Sequence, residues 1–170
     1  MKRTCIPALC LTAVLILGLP CAAAMAEEIV GKPQVIDADT LDFSGRLVRL
    51  YGIDALEIDQ VCGAGGDTWP CGKEARWAIL DRISPHWVTC ITESVTAEGL
   101  TPEGLIAAIC YLAGAGQFDL NAWLVERGWA LADRDATEAY VAAEDAARRA
   151  GRGLWRGPFV PPWEWRAGRR

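Results

Sequence analysis

The chain is poor in histidine, the imidazole donor of many metal centres. His86 is the only histidine in 170 residues and sits beside Pro85. It gives no support to a metal centre built on imidazole. Cys62 and Cys71 are too far apart for the usual zinc knuckle. Beyond the first 26 residues no stretch is apolar enough to cross a bilayer. Internal repeats are lacking, and no linker divides the chain. One further gap bears on function: the stretch from Thr92 to Ile109 holds no arginine at all.

What is present begins with an address. Lys2 and Arg3 precede an apolar run from Ile6 to Leu19, and Ala24-Met25-Ala26 offers the small-x-small pattern of a signal peptidase site. Residues 1–26 are therefore expected to be a cleaved signal peptide. Pro20 before Cys21 speaks against a lipoprotein anchor, and no retained membrane anchor is expected. The expected product is secreted or periplasmic, a single domain over residues 27–170. Cys5, Cys10 and Cys21 leave with the leader, so Cys62, Cys71, Cys90 and Cys110 remain. An even number in an exported chain points to two disulfides, and four cysteines allow three connectivities.

Charge is distributed unevenly. Without the leader the chain carries 15 basic and 22 acidic side chains, a net of −7. Seven arginines follow from Arg148 onward, against Glu164 alone, so residues 27–147 hold 8 basic and 21 acidic groups. Such a surface repels a polyanion. Nucleic acid is thereby disfavoured as a partner, while a protein or an acidic polysaccharide stays open. The arginines of the tail are expected to be a solvated helix end and a charged terminus.

Along the chain, Val35-Ile36, Thr40 to Phe43 and Arg46 to Tyr51 have the alternation of short strands, with Ser44-Gly45 as a turn. Gly63 to Pro70 has the glycine content of a loop. Glu74 to Ile83 has helical spacing and stops before Pro85. Trp87 to Cys90 and Ile106 to Leu112 are two further strands. Two helices follow, the first capped by Asp119 and the second by Thr137. Trp155 to Trp165 is expected to be an extended, Trp- and Pro-rich tail. Five strands with a helix between the third and fourth make the plan of a small OB-type barrel. Trp77, Trp123, Trp129 and Trp155 are expected to pack in the core. Trp163 and Trp165 are the pair left for the surface.

Asp37, Asp39, Asp54 and Glu57 lie on loops that this strand plan brings together, with Arg49 on the third strand. Two carboxylates and a backbone carbonyl begin a calcium cage, and a third carboxylate can deprotonate water. Solvated turn aspartates give the same pattern, so by itself it is weak.

Val35-Ile36-Asp37-Ala38-Asp39-Thr40-Leu41, followed by Val48-Arg49-Leu50-Tyr51-Gly52-Ile53-Asp54-Ala55-Leu56-Glu57, resembles the thermonuclease signature of the staphylococcal nuclease family. The likeness continues through Trp69-Pro70-Cys71-Gly72, Asp119 to Val125, Gly128-Trp129-Ala130 and Arg152 to Trp155. It implies a mainly β fold, a five-stranded OB-fold barrel with three helices packed against it. It also implies calcium-dependent hydrolysis of phosphodiester bonds in nucleic acids. By the same resemblance Asp39, Asp54 and the carbonyl of Ala55 would hold Ca2+, Glu57 would act as base, and Arg49 would hold the phosphate. The family also has members among exopolysaccharide-synthesis genes, which implies an accessory role there as an alternative. From the strand order the disulfides are expected to be Cys62–Cys71, closing the glycine-rich loop, and Cys90–Cys110, between neighbouring strands.

Three departures qualify the expected activity. Ala38 replaces a glycine, and Leu56 replaces the proline before Glu57, which is expected to free that loop. The family's Tyr-Gly-Arg falls on Glu103-Gly104-Leu105. Losing a phosphoryl-transfer arginine costs about 10³–10⁵ in rate. The expected activity is weak or none, unless another arginine serves. Arg46 and Arg82 are the candidates by sequence.

Overall fold

The computed structural model describes residues 26–64, 66–93, 100–112 and 118–170. Residues 1–25 of the expected leader, with Cys5, Cys10 and Cys21, lie outside the described residues. Four short strands open the fold: β1 Glu28–Gly31, β2 Gln34–Asp37, β3 Thr40–Phe43 and β4 Arg46–Leu50. β5 Ile53–Ala55 follows, then the small hairpin β6 Cys62–Ala64 and β7 Asp67–Trp69. Helix α1 covers Cys71–Ile83, and β8 Val88–Thr92, β9 Ile106–Leu112 and β10 Phe118–Asp119 complete the larger sheet. α2 Leu120–Glu126, β11 Ala130–Ala132, α3 Val141–Arg149, a 3-10 turn over Gly153–Arg156 and α4 Pro162–Arg166 finish the chain.

The principal sheet runs β1-β8-β9-β4-β3-β2, with β10 paired to β9, and it curls into a half-barrel of OB type. Its neighbours are antiparallel except β4 and β9, which run parallel with Arg49 opposite Ala107. Strand alternation supplies the core: Leu41, Val48, Leu50, Val88, Cys90, Ala108, Cys110 and Leu112 are all within 1% of full burial. α1 closes one side through Ala75, Ile79 and Ile83, which recur at helical spacing.

The two disulfides are Cys62–Cys71, at the start of α1, and Cys90–Cys110, joining residues directly opposite each other on β8 and β9. Buried cross-links of this kind belong to an oxidising compartment. Among the described residues no helix is long and apolar enough to cross a membrane.

Several expectations are corrected. Among the described residues there are four helices, not three, because Pro162–Arg166 is helical. The tail is therefore not extended: Pro162 sits at the first helical position, Glu164 in the first turn and Arg166 in the last. Trp165 is 7% exposed and packs inward, while Trp163 stays exposed. Trp77 is 62% exposed, because it lies on the α1 face opposite Ala75, Ile79 and Ile83. α2 is capped as expected, Asp119 accepting from the amide of Ala122 at 2.9 Å. α3 begins at Val141 with Tyr140 before it, while Thr137 caps only a preceding turn through the amide of Ala139.

Candidate active site

The carboxylates meet because β4 turns sharply into β5. Gly52 makes that turn at φ +77, and a Cβ there would lie 2.5 Å from Cγ2 of Thr137. β5 is held by β11, with Asp54 opposite Leu131, so strand pairing fixes the Asp54 backbone on that side. Asp39 lies in the β2–β3 turn and is almost wholly buried. It accepts from the amide of Ala55 at 2.8 Å and from Thr40 Oγ1 at 3.1 Å. One aspartate thus ties the first hairpin to the strand that carries the second.

Arg49, on β4, reaches both. Its Nη2 lies 3.1 Å from Asp39 Oδ2 and 2.9 Å from Asp54 Oδ1. Burial pushes the Asp39 carboxyl above its ordinary range, and Arg49 acts against that shift. Asp37, partly buried beside it, is raised by burial and by Asp39. Arg76 of α1 anchors the backbone on this side, donating to the carbonyls of Val35 and Ile36 at 2.7 and 3.0 Å.

Glu57 stands on a tight turn. The amide of Gln60 donates to the Glu57 carbonyl at 2.9 Å, and Gln60 Oε1 accepts from the Glu57 amide at 3.3 Å. Gly72 lets α1 press onto this turn: a Cβ there would lie 1.7 Å from the Glu57 carbonyl oxygen. The loop is not freed by the loss of proline. Leu56 is 1% exposed, so burial of its side chain anchors the turn where a ring would have stiffened it.

The arginine that completes the site is one that the sequence did not offer as a candidate. Arg166, the last residue of α4, places Nη1 at 2.9 Å and Nη2 at 2.8 Å from the two oxygens of Asp54. The same Nη1 lies 2.6 Å from Glu57 Oε1. These bonds raise the already high pKa of Arg166 further, Asp54 first and Glu57 after it. Arg46 instead pairs with Glu27 at 2.8 Å. Arg82 stacks over Phe118, 4.1 Å from the ring centre. Neither reaches the carboxylates.

Leu105 precedes β9 in a turn where its amide donates to Thr101 Oγ1 and its carbonyl accepts from the Thr101 amide. Glu103, on the same turn, lines a cleft of about 610 Å³ with Arg49, Asp54, Asp133, Asp135 and Arg166. Its carboxyl is held below the ordinary range, chiefly by a hydrogen bond from Thr101.

The donor set does not fit a calcium ion in this arrangement. Both oxygens of Asp54 and one of Glu57 accept from Arg166, and both oxygens of Asp39 already have donors. Among the described residues no group of three or more His, Cys, Asp or Glu is disposed to hold a metal ion.

The family model for staphylococcal nuclease homologues matches residues 47–157. A succinoglycan biosynthesis protein, ExoI of Rhizobium meliloti (strain 1021), is 35% identical over 136 residues, covering 79% of this chain and 68% of the relative. With the curled sheet, the β4–β5 carboxylates and the matched residues in agreement, the chain belongs to the staphylococcal nuclease homologue family.

Proposed function

We propose that the chain is an exported member of this family with weak or no phosphodiesterase activity. The observation that carries this reading is the engagement of Glu57 by Arg166 at 2.6 Å. A carboxylate bound to a guanidinium is a poor general base, because its lone pairs and charge are already committed. Leu105 adds to the deficit by removing a cation aimed at developing charge. Glu103, Asp133 and Asp135 line the adjoining cleft and oppose entry of a polyanion. The two disulfides support an export destination, the periplasm or the exterior.

A second reading has a specific observation in its favour. Arg166 lines the cleft beside Arg49, so it is placed to serve as the other arginine of a working calcium-dependent nuclease. Its two terminal nitrogens are spent on Asp54 and Glu57, however, and would have to turn toward a phosphate. The relative's name, a succinoglycan biosynthesis protein, supports a third, non-catalytic reading: accessory binding of a protein or acidic polysaccharide.

Incubation of the protein with single-stranded DNA and calcium, beside Glu57→Gln, separates the first two. Weak hydrolysis within about tenfold of the Glu57→Gln control is expected. Rapid cleavage that vanishes in the control would favour the working nuclease.

A further inference from the structure

The segment that delivers Arg166 lies beyond residue 157, where the family match ends. It is nonetheless built into the site. The carbonyl of Val160 accepts from Gln60 Nε2 at 2.6 Å, and Gln60 is fully buried. Trp165 Nε1 donates to Asp59 Oδ1 at 3.2 Å, and its ring is buried with Pro162. Asp59 and Gln60 belong to the turn that carries Glu57. Seating of the tail and shaping of the Glu57 turn therefore share the same contacts.

We propose that Arg166 is the resident cation of this site, so that seating of the tail and binding of a divalent cation exclude each other. The proposal rests on the reading of weak hydrolysis given above and adds what controls it. A hard divalent cation takes carboxylate oxygens directly. Arg166 holds three of the oxygens such an ion would need, two on Asp54 and one on Glu57. The fork is bidentate on Asp54, which fixes the guanidinium in direction as well as distance.

Charge gives the same result. Asp39, Asp54 and Glu57 bring three negative charges, and Arg49 and Arg166 bring two positive ones. Withdrawing Arg166 leaves a net of −2 around Asp54, which a divalent cation matches. Bringing that cation in with Arg166 still seated would set two positive groups against one set of oxygens. The Arg166 side chain is 41% exposed and ends a five-residue helix, so it can leave without opening the barrel.

Calcium titration of the intact chain by calorimetry, with a thermal melt at each calcium level, tests this. Arg166→Gln removes the cation, and Trp165→Ala loosens the tail while keeping every carboxylate. The intact chain is expected to show no saturable site up to millimolar calcium. Both variants are expected to gain one site at least tenfold tighter, with a calcium-dependent rise in melting temperature. If one variant does not fold, the other carries the comparison. Two folded variants that gain no calcium overturn the proposal and leave the weak-hydrolysis reading intact. Equal, tight binding by the intact chain and Arg166→Gln overturns the proposal, and rapid Glu57-dependent DNA cleavage by the intact chain overturns the functional reading as well.

Discussion

The guanidinium of Arg166 grips both oxygens of Asp54, at 2.8 and 2.9 Å, across 112 residues of sequence. The contact is unlike an ordinary surface ion pair, most of which contribute little because both side chains stay solvated and mobile. Asp54 is 8% exposed and is fixed by strand pairing with β11. Its partner comes from a short helix held by a buried tryptophan. Pre-positioning of both groups removes most of the entropy cost that weakens exposed pairs.

The seating of the tail therefore depends on Trp165. Truncating a buried tryptophan to alanine costs about 3–5 kcal/mol, and here the loss falls on the docking of residues 158–170. In Trp165→Ala, hydrogen exchange of tail amides is expected to accelerate by more than tenfold while amides of β8 and β9 keep their protection. Unchanged tail protection would show that other contacts hold α4 in place.

Gly72 is expected to tolerate no side chain. Its Cβ would lie 1.7 Å from the Glu57 carbonyl, so Gly72→Ala must push α1 and the Glu57 turn apart. Overpacking of this kind costs about 1–3 kcal/mol. Urea titration measures it, and a midpoint equal to that of the parent chain would contradict the close approach.

The Cys62–Cys71 bond closes the short β6–β7 loop, which lies between the Glu57 turn and α1 in the chain. Replacing both cysteines by alanine is expected to lower stability by about 2–4 kcal/mol. The amides of residues 57–63 are expected to exchange faster than those of the principal sheet. Calorimetric unfolding reads the first effect and hydrogen exchange the second.

Asn121 is a polar residue that the core cannot lose. It is fully buried, accepts from the amide of Cys110, and donates to the carbonyls of Tyr51 and Ala108 at 2.9 and 3.3 Å. Asn121→Ala strands the Cys110 amide and the Tyr51 carbonyl. At about 1–3 kcal/mol for each unsatisfied group, a loss of about 2–4 kcal/mol is expected in chemical denaturation.

The acidic half of the site is legible in the sequence because it is local. Asp39, Asp54, Glu57 and Arg49 sit at fixed offsets from strands whose alternation is plain, and hairpin geometry brings them together. Arg166 is hidden by its distance along the chain and by a tail whose prolines suggest an extended segment. A signal was nevertheless present. Pro161-Pro162 followed by Trp163-Glu164-Trp165-Arg166 has proline at a helix start, acid in the first turn and base in the last. Trp77 stands outside the core because Ala75, Ile79 and Ile83 define the buried face of α1. The 3.6-residue period puts position 77 on the other side.

In the intact protein the tail's guanidinium, not a metal ion, is expected to neutralise Asp54 and Glu57. A crystal structure of the intact chain grown in millimolar calcium tests it most directly. Arg166 is expected within hydrogen-bonding distance of both Asp54 oxygens and of Glu57, with no metal between Asp39 and Asp54. A calcium ion bridging those two aspartates, with Arg166 displaced, would contradict it.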